Sequence, residues 1–256
     1  RSPCVDARLA DGSRIHVVVP PIALDGPYVT IRRFTLRRVA LDAFTTPAVA
    51  GLVERAVAAA MNVLVSGGTG AGKTTLLNAI SSLAPATERF VTIEDSAELA
   101  LPHPHVVRLE GRPASSEGVG EVDVRELVRN ALRMRPDRIV VGEIRDASAL
   151  DLVQALNTGH AGCLSTVHAN GPLDALRRVE TLALMAAEGV PLAALRAQVT
   201  AAVDVVVHVV RDADGRRRIG EVAEVVGPDE VTVLARDGQV VGRPVRPARR
   251  GGGATW

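Results

Sequence analysis

Lysine is almost missing from this chain of 256 residues. Lys73 is the single lysine among 30 basic residues, and arginine fills every other basic position. Aromatic residues are also scarce, at 2%: Tyr28, Phe34, Phe44, Phe90 and Trp256. That leaves little with which to build a stacking platform for single-stranded nucleic acid. The net charge of +1 gives no strongly basic surface either. Two cysteines, Cys4 and Cys163, exclude a disulfide framework and fit a reducing compartment. No apolar run is long enough to span a bilayer, and no secretory signal pattern opens the chain. The first residue is Arg1, which reads as a segment of a longer protein.

What is abundant is Ala, Val and Leu, within an apolar share of 47%, enough for a sizeable core. Two β-like runs, RIHVVVP (14–20) and YVTIRRF (28–34), read as the end of a small N-terminal domain over residues 1–34. A linker is expected over 35–45. Thr46-Pro47 then opens an Ala/Val-rich helix as N-cap and first helical residue. From there short apolar runs alternate with helical patterns. NVLVS (62–66), RFVTI (89–93), RIVV (138–141) and CLSTV (163–167) predict strands, and Asp123 with Glu126 forms a capping box before a helix. Such alternation predicts an α/β fold with a mostly parallel sheet covered on both faces. VVVHVV and RRRIGEVAEVV around a DADG turn predict an appended C-terminal β-hairpin, giving a main domain over 46–246. The Arg/Gly-rich end, 247–256, reads as a disordered tail. The Arg pairs and the Arg216–Arg218 triplet are scattered and read mostly as solvated faces.

The lone lysine sits in LVSGGTGAGKTTLLNAI (64–80). Gly67, Gly68, Thr69, Gly70, Ala71, Gly72, Lys73, Thr74 and Thr75 fit the phosphate-binding loop, with a strand before and a helix after. Glycines let backbone N–H groups turn inward around phosphate oxygens at the positive end of the helix. The Lys73 ammonium is a compact charge that reaches the β- and γ-phosphates, where the larger planar fork of arginine would re-aim its donors. Thr74 offers a hydroxyl to Mg²⁺.

The other candidates cluster at strand ends, where open parallel sheets bind ligands. RFVTI runs into Glu94 and Glu98, both candidates for Mg²⁺ through water. RIVV runs into Glu143 and Arg145. Glu143 is expected to orient or deprotonate the attacking water, and Arg145 to pair with a carboxylate or phosphate. CLSTV runs into His168, expected at the γ-phosphate, with His160 a weaker candidate for the same role. His103 and His105 have no third ligand at metal-site spacing and read as a loop. Cys163 reads as core.

Four signatures in order, GGTGAGKTT, VTIEDSAEL, RMRPDRIVVGEIRD and NTGHAGCLSTVHAN, resemble those of the secretion ATPases of type II and type IV systems and of type IV pili. The run LVRNALRMRPDRIVVGE and the N-terminal flank are similar to the tight-adherence (Flp) pilus ATPases, although GEIRD (142–146) replaces the GEVRG usual there. The resemblance implies a RecA-like P-loop core behind a partial small N-terminal domain, assembled as a homo-hexameric ring. It implies ATP and Mg²⁺ as cofactors, Glu98 as the acidic-box residue, and arginines from the N-terminal side, Arg32 or Arg33, at the γ-phosphate. It also implies a cytoplasmic location at the inner membrane against an integral platform protein, while the five aromatics and the net charge of +1 argue against a nucleic-acid partner. Two rival readings share the core: a RecA-like DNA translocase or helicase, and a nucleotide-switched scaffold without turnover.

Overall fold

The computed structural model describes residues 3–33, 39–114, 119–250 and 255–256. By contact the chain divides into two compact units, Arg1–Arg37 with Ala114–Val119, and Arg38–Pro113 with Gly120–Trp256. In the first, β1 (Cys4–Arg8), β2 (Arg14–Val18) and β3 (Tyr28–Arg32) form an antiparallel meander. β1 was not anticipated: only five residues long and exposed throughout, it shows no buried apolar stripe. The expected linker is part fold and part undescribed. Residues 34–38 lie outside the described residues, whereas Leu41–Ala43 makes a 3₁₀ turn and Phe44 is buried against the core of the second unit.

The second unit alternates as the apolar runs imply: α1 (Pro47–Ala58), β4 (Val63–Gly67), α2 (Lys73–Ser81), β5 (Phe90–Glu94), β6 (Val106–Glu110), α3 (Val124–Ala131), β7 (Arg138–Ile144), α4 (Ser148–Asn157), β8 (Leu164–His168), α5 (Pro172–Leu184), α6 (Leu192–Ala202), β9 (Val205–Arg211), β10 (Arg217–Gly227), β11 (Glu230–Arg236) and β12 (Gln239–Val240). They build one nine-stranded sheet in the order β12-β11-β10-β9-β4-β8-β7-β5-β6. The six strands from β9 to β6 are parallel, and β9 to β12 continue as an antiparallel meander rather than a lone hairpin.

The pleat sends alternate side chains to opposite faces. Leu64 and Val141 pack with α3, α4, α5 and α6, while Val63, Val65 and Val140 pack with α1 and α2. Helices on both faces make the buried parallel strands continuous apolar runs. The capping box forms: Asp123 accepts from the Glu126 backbone N–H at 2.8 Å. Thr46 precedes Pro47 in extended conformation, but its hydroxyl donates to the Gly238 carbonyl at 2.6 Å instead of capping the helix.

At the amino edge of the sheet, buried Asn62 joins three strand starts. Its N–H donates to Asp204 at 2.8 Å, its side-chain amide donates to the Ala202 carbonyl at 2.8 Å, and its Oδ1 accepts from Cys163 N–H at 3.0 Å. The described part of the expected disordered tail lies on this edge as a strap. Arg249 and Arg246 pair with buried Asp204, and Arg250 pairs with Glu88. Trp256, only 8% exposed, donates its indole N–H to buried Glu224 at 2.9 Å. The composition suggested disorder because the carboxylates that the tail's side chains meet lie 32 or more residues away in sequence, outside any local pattern.

Candidate functional site

Strand β4 ends at Gly67, directly beside His168 in the register of β8 on one side, and Ser66 is beside His208 of β9 on the other. The chain then turns through Gly70 (φ 71°) and Gly72 (φ 101°), left-handed conformations that favour glycine. A Cβ at Gly67 would stand 2.5 Å from the Val209 carbonyl. α2 starts at Lys73, so its free N–H groups face the loop. This tight turn with backbone donors at a helix start is the cradle a phosphate chain requires.

Lys73 is only 7% exposed. Its Nζ donates to the Gly67 carbonyl at 3.1 Å, the Gly68 carbonyl at 3.2 Å and His168 Nε2 at 3.0 Å. Burial pushes its pKa below the ordinary lysine value; the Glu143 carboxylate pulls it back up and Arg145 adds to the depression.

Glu143 reaches this cluster through an irregularity. Between Val141 and Ile144 the pairing of β7 with β8 shifts register, and Gly142 and Glu143 occupy the shift. Such bulges re-aim side chains. The Thr166 hydroxyl donates to the Gly142 carbonyl at 2.7 Å, satisfying an acceptor that the irregular pairing leaves. Glu143 therefore lies within the strand, beyond the apolar RIVV segment. One carboxylate oxygen accepts from Arg145 at 2.7 Å and the other stands 3.2 Å from His168 Nε2. Burial pushes the Glu143 carboxyl up, but the Arg145 hydrogen bond and charge, helped by His168 and Lys73, outweigh it and hold the pKa below the ordinary value. Asp95 and Glu98 add to the negative field at Arg145. The His168 pKa is lowered, first by burial and then by Lys73, with Glu143 opposing.

The structure thus brings together Lys73, Glu143, Arg145, His168 and Glu98, with Thr74 and Thr75 in the first turn of α2. Two expected members, Glu94 and His160, stand apart from this cluster. Glu94 is only 5% exposed, and its Oε1 caps the following turn by accepting from Glu98 and Leu99 N–H at 2.7 and 2.8 Å. Its Oε2 is buried without a partner, and burial raises its pKa. A carboxyl so enclosed is a structural anchor for the acidic turn, which leaves Glu98 as the more accessible acid. His160 precedes β8, at the amino edge of the sheet, while His168 closes the carboxyl edge on the order of 13 Å along the strand. The strand predicted between the two histidines, CLSTV, puts them at opposite edges of the sheet. Arg32 and Arg33 stand at the end of β3, in the other compact unit.

Some neighbours of the loop escaped the sequence pattern. His208 Nδ1 lies 3.0 Å from Ser66 Oγ, and burial lowers the His208 pKa. Arg217, first residue of β10, donates Nε to the Gly70 carbonyl at 3.3 Å. Arg218 pairs with Asp212 and Asp237. The Arg triplet is therefore not a uniformly solvated face; only the β9–β10 register, invisible in composition, places it here.

Residues 1–241 match the family model of the type II/IV secretion system proteins. The chain belongs to that family. A protein of Mycobacterium tuberculosis provisionally named a conjugal transfer protein is 52% identical over 215 residues, covering 82% of this chain and 60% of the relative. The conjugal transfer protein TrbB of Rhizobium radiobacter is 39% identical, covering 84% of this chain and 65% of its own length. This member of the family therefore spans less than two thirds of those relatives. Among solved structures, the VirB11 ATPase of the Brucella suis type IV secretion system, in complex with sulphate, matches with a TM-score of 0.63 and 31% identity over 87% of this chain and 74% of that one. The pilus retraction motor PilT with bound ADP shares the fold at a TM-score of 0.61. The family's α/β architecture with a mostly parallel sheet is thus present here. Among the described residues no helix is long and apolar enough to cross a membrane.

Proposed function

We propose that this chain is the motor part of a Mg²⁺-dependent ATPase that powers secretion or pilus assembly, working as a homo-hexameric ring. It would act on the cytoplasmic side of the inner membrane against an integral platform protein. The observation that carries the reading is the Lys73–His168–Glu143–Arg145 cluster at the mouth of a glycine loop, at the carboxyl edge of a parallel sheet.

The residues divide the work by chemistry. The loop N–H groups and Lys73 bind the β- and γ-phosphates. Glu143, held ionised at neutral pH, orients a water for in-line attack and accepts its proton. Arg145 keeps that carboxylate aimed and adds positive charge beside the developing negative charge. His168 contacts the γ-phosphate from the β8 side. Thr74, with Glu98 through water, would hold a Mg²⁺ ion, which would supply positive charge to the phosphates. Arg32 or Arg33 would supply a further cation to a nucleotide at a ring junction. The secretion system and the conjugal transfer named for the relatives support the coupling to transport, and the motif resemblance supports a tight-adherence pilus machine.

Phosphate release from Mg-ATP across a protein dilution series, wild type beside Glu143→Gln, tests the reading. Specific activity should rise with protein concentration, and the variant should lose about a hundredfold or more of turnover while binding ATP normally. Bound nucleotide with no phosphate release at any concentration would establish a switch scaffold instead.

A further inference from the structure

The reactive groups all lie on one side of the P-loop. β4 carries the loop, and β8 and β7, its neighbours on that side, bring His168, Glu143 and Arg145. A nucleoside triphosphate whose γ-phosphate meets them must run its α-phosphate and sugar away from them. On the other side of β4 lie β9 and β10, joined by the Asp212–Gly215 turn.

From that side Arg217 reaches over the loop. Its Nε donates to the Gly70 carbonyl at 3.3 Å, and its stem lies against Gly72, where a Cβ would meet Arg217 Cδ at 2.7 Å. Gly72 is thus glycine for two reasons: its φ of 101°, and the space that Arg217 takes. The side chain is anchored through one nitrogen only. Among the described residues no acceptor bonds Nη1 or Nη2. An arginine fixed by its Nε and stem, with two terminal donors unused at the edge of a phosphate cradle, is preorganised for an oxyanion or ribose hydroxyl.

We propose that Arg217 is a nucleotide-positioning residue. It reads the nucleoside side of the bound molecule, the α-phosphate and sugar, while Lys73 reads the terminal phosphates. The inference rests on the P-loop reading above and adds to it a binding group from the β9–β10 hairpin.

Calorimetric binding of ADP and of pyrophosphate to wild type, Arg217→Ala, Arg217→Lys and Lys73→Ala separates the two. Pyrophosphate fills the loop but has no nucleoside. Arg217→Ala should weaken ADP about tenfold, the loss of one charge-assisted contact, while pyrophosphate changes less than twofold. Arg217→Lys should recover part of the ADP affinity. A change of less than threefold in the ratio of ADP to pyrophosphate affinity overturns the proposal, since a merely structural effect on the loop weakens both ligands alike. Lys73→Ala tests the underlying reading separately: it should weaken both ligands, and unchanged affinity for both would remove the P-loop assignment itself. Equal thermal midpoints for wild type and the Arg217 variants check that the fold is intact.

Discussion

His168 Nε2 has one lone pair and two neighbours, Lys73 Nζ at 3.0 Å and a Glu143 oxygen at 3.2 Å. An ammonium can only donate, so the neutral ring accepts from Lys73 with its proton on Nδ1. The same nitrogen can donate to Glu143 only after protonation. Burial, Lys73, Arg145 and Arg178 all disfavour that protonation, and Glu143 alone favours it. The folded pKa therefore lies below the ordinary value near 6.5. Between the two values the unfolded chain binds a proton that the native chain does not, so stability rises with pH through this window and is lost as pH falls. The ring is substantially exposed, which keeps the effect below about 1 kcal/mol. Glu94, with its raised pKa, pulls stability the other way, and His208 the same way. Both cancel when wild type is compared with His168→Gln. We expect the unfolding free energy of wild type relative to this variant to fall as pH drops from about 7.5 to 5.5. A relative stability that grows on acidification would show an imidazolium–Glu143 ion pair in the native state.

At the scale of the element, the bulge in β7 decides where Glu143 points. Thr166 is buried and its hydroxyl bonds the Gly142 carbonyl. Thr166→Val keeps the shape and removes the donor from that partly buried carbonyl, at a cost of about 1 kcal/mol. We expect urea unfolding to register this loss and turnover to fall with ADP affinity unchanged, because the P-loop backbone does not use Thr166. Unchanged turnover would mean that the register shift holds without the hydroxyl. None of this was legible in the sequence. Apolar runs mark β4, β5, β7 and β8 because parallel strands buried on both faces are apolar throughout, and the glycine pattern with a lone lysine marks the loop. β6 has a half-exposed pattern, VVRLE after two histidines and a proline, and lacks that signal. β11 and β12 continue a meander whose turn residues, Pro228-Asp229 and Asp237-Gly238, were legible but not read. Glu94 and Glu98 are both candidates in VTIEDSAEL, and only the family resemblance prefers Glu98. The structure shows which of them is enclosed: Glu94 accepts from the Glu98 and Leu99 N–H groups and packs against Gly142, where a Cβ would stand 2.8 Å from Glu94 Cγ.

Across the main unit, the sheet's two edges have opposite roles. The carboxyl edge holds the reactive groups, whereas the amino edge is closed by ion pairs from the chain's last described residues. Asp204, only 1% exposed, accepts from the Asn62 N–H and pairs with Arg246 and Arg249. Glu224 accepts from the N–H groups of Val245 and Arg246 and from the Trp256 indole. A buried carboxylate with several donors is costly to break from one side, because the remaining partners stay desolvated. Asp204→Ala strips two arginines and one buried N–H of their acceptor, and should destabilise the unit by about 3 kcal/mol. The single tryptophan makes the role of the strap measurable. In the wild type, fluorescence and far-UV circular dichroism should report one coincident urea transition, as expected when the strap and the sheet unfold together. In Asp204→Ala both should move to lower urea. Should the wild-type tryptophan emit as a water-exposed indole before the sheet unfolds, the strap would not be part of the core, and the Asp204 effect would have to come from Asn62 alone.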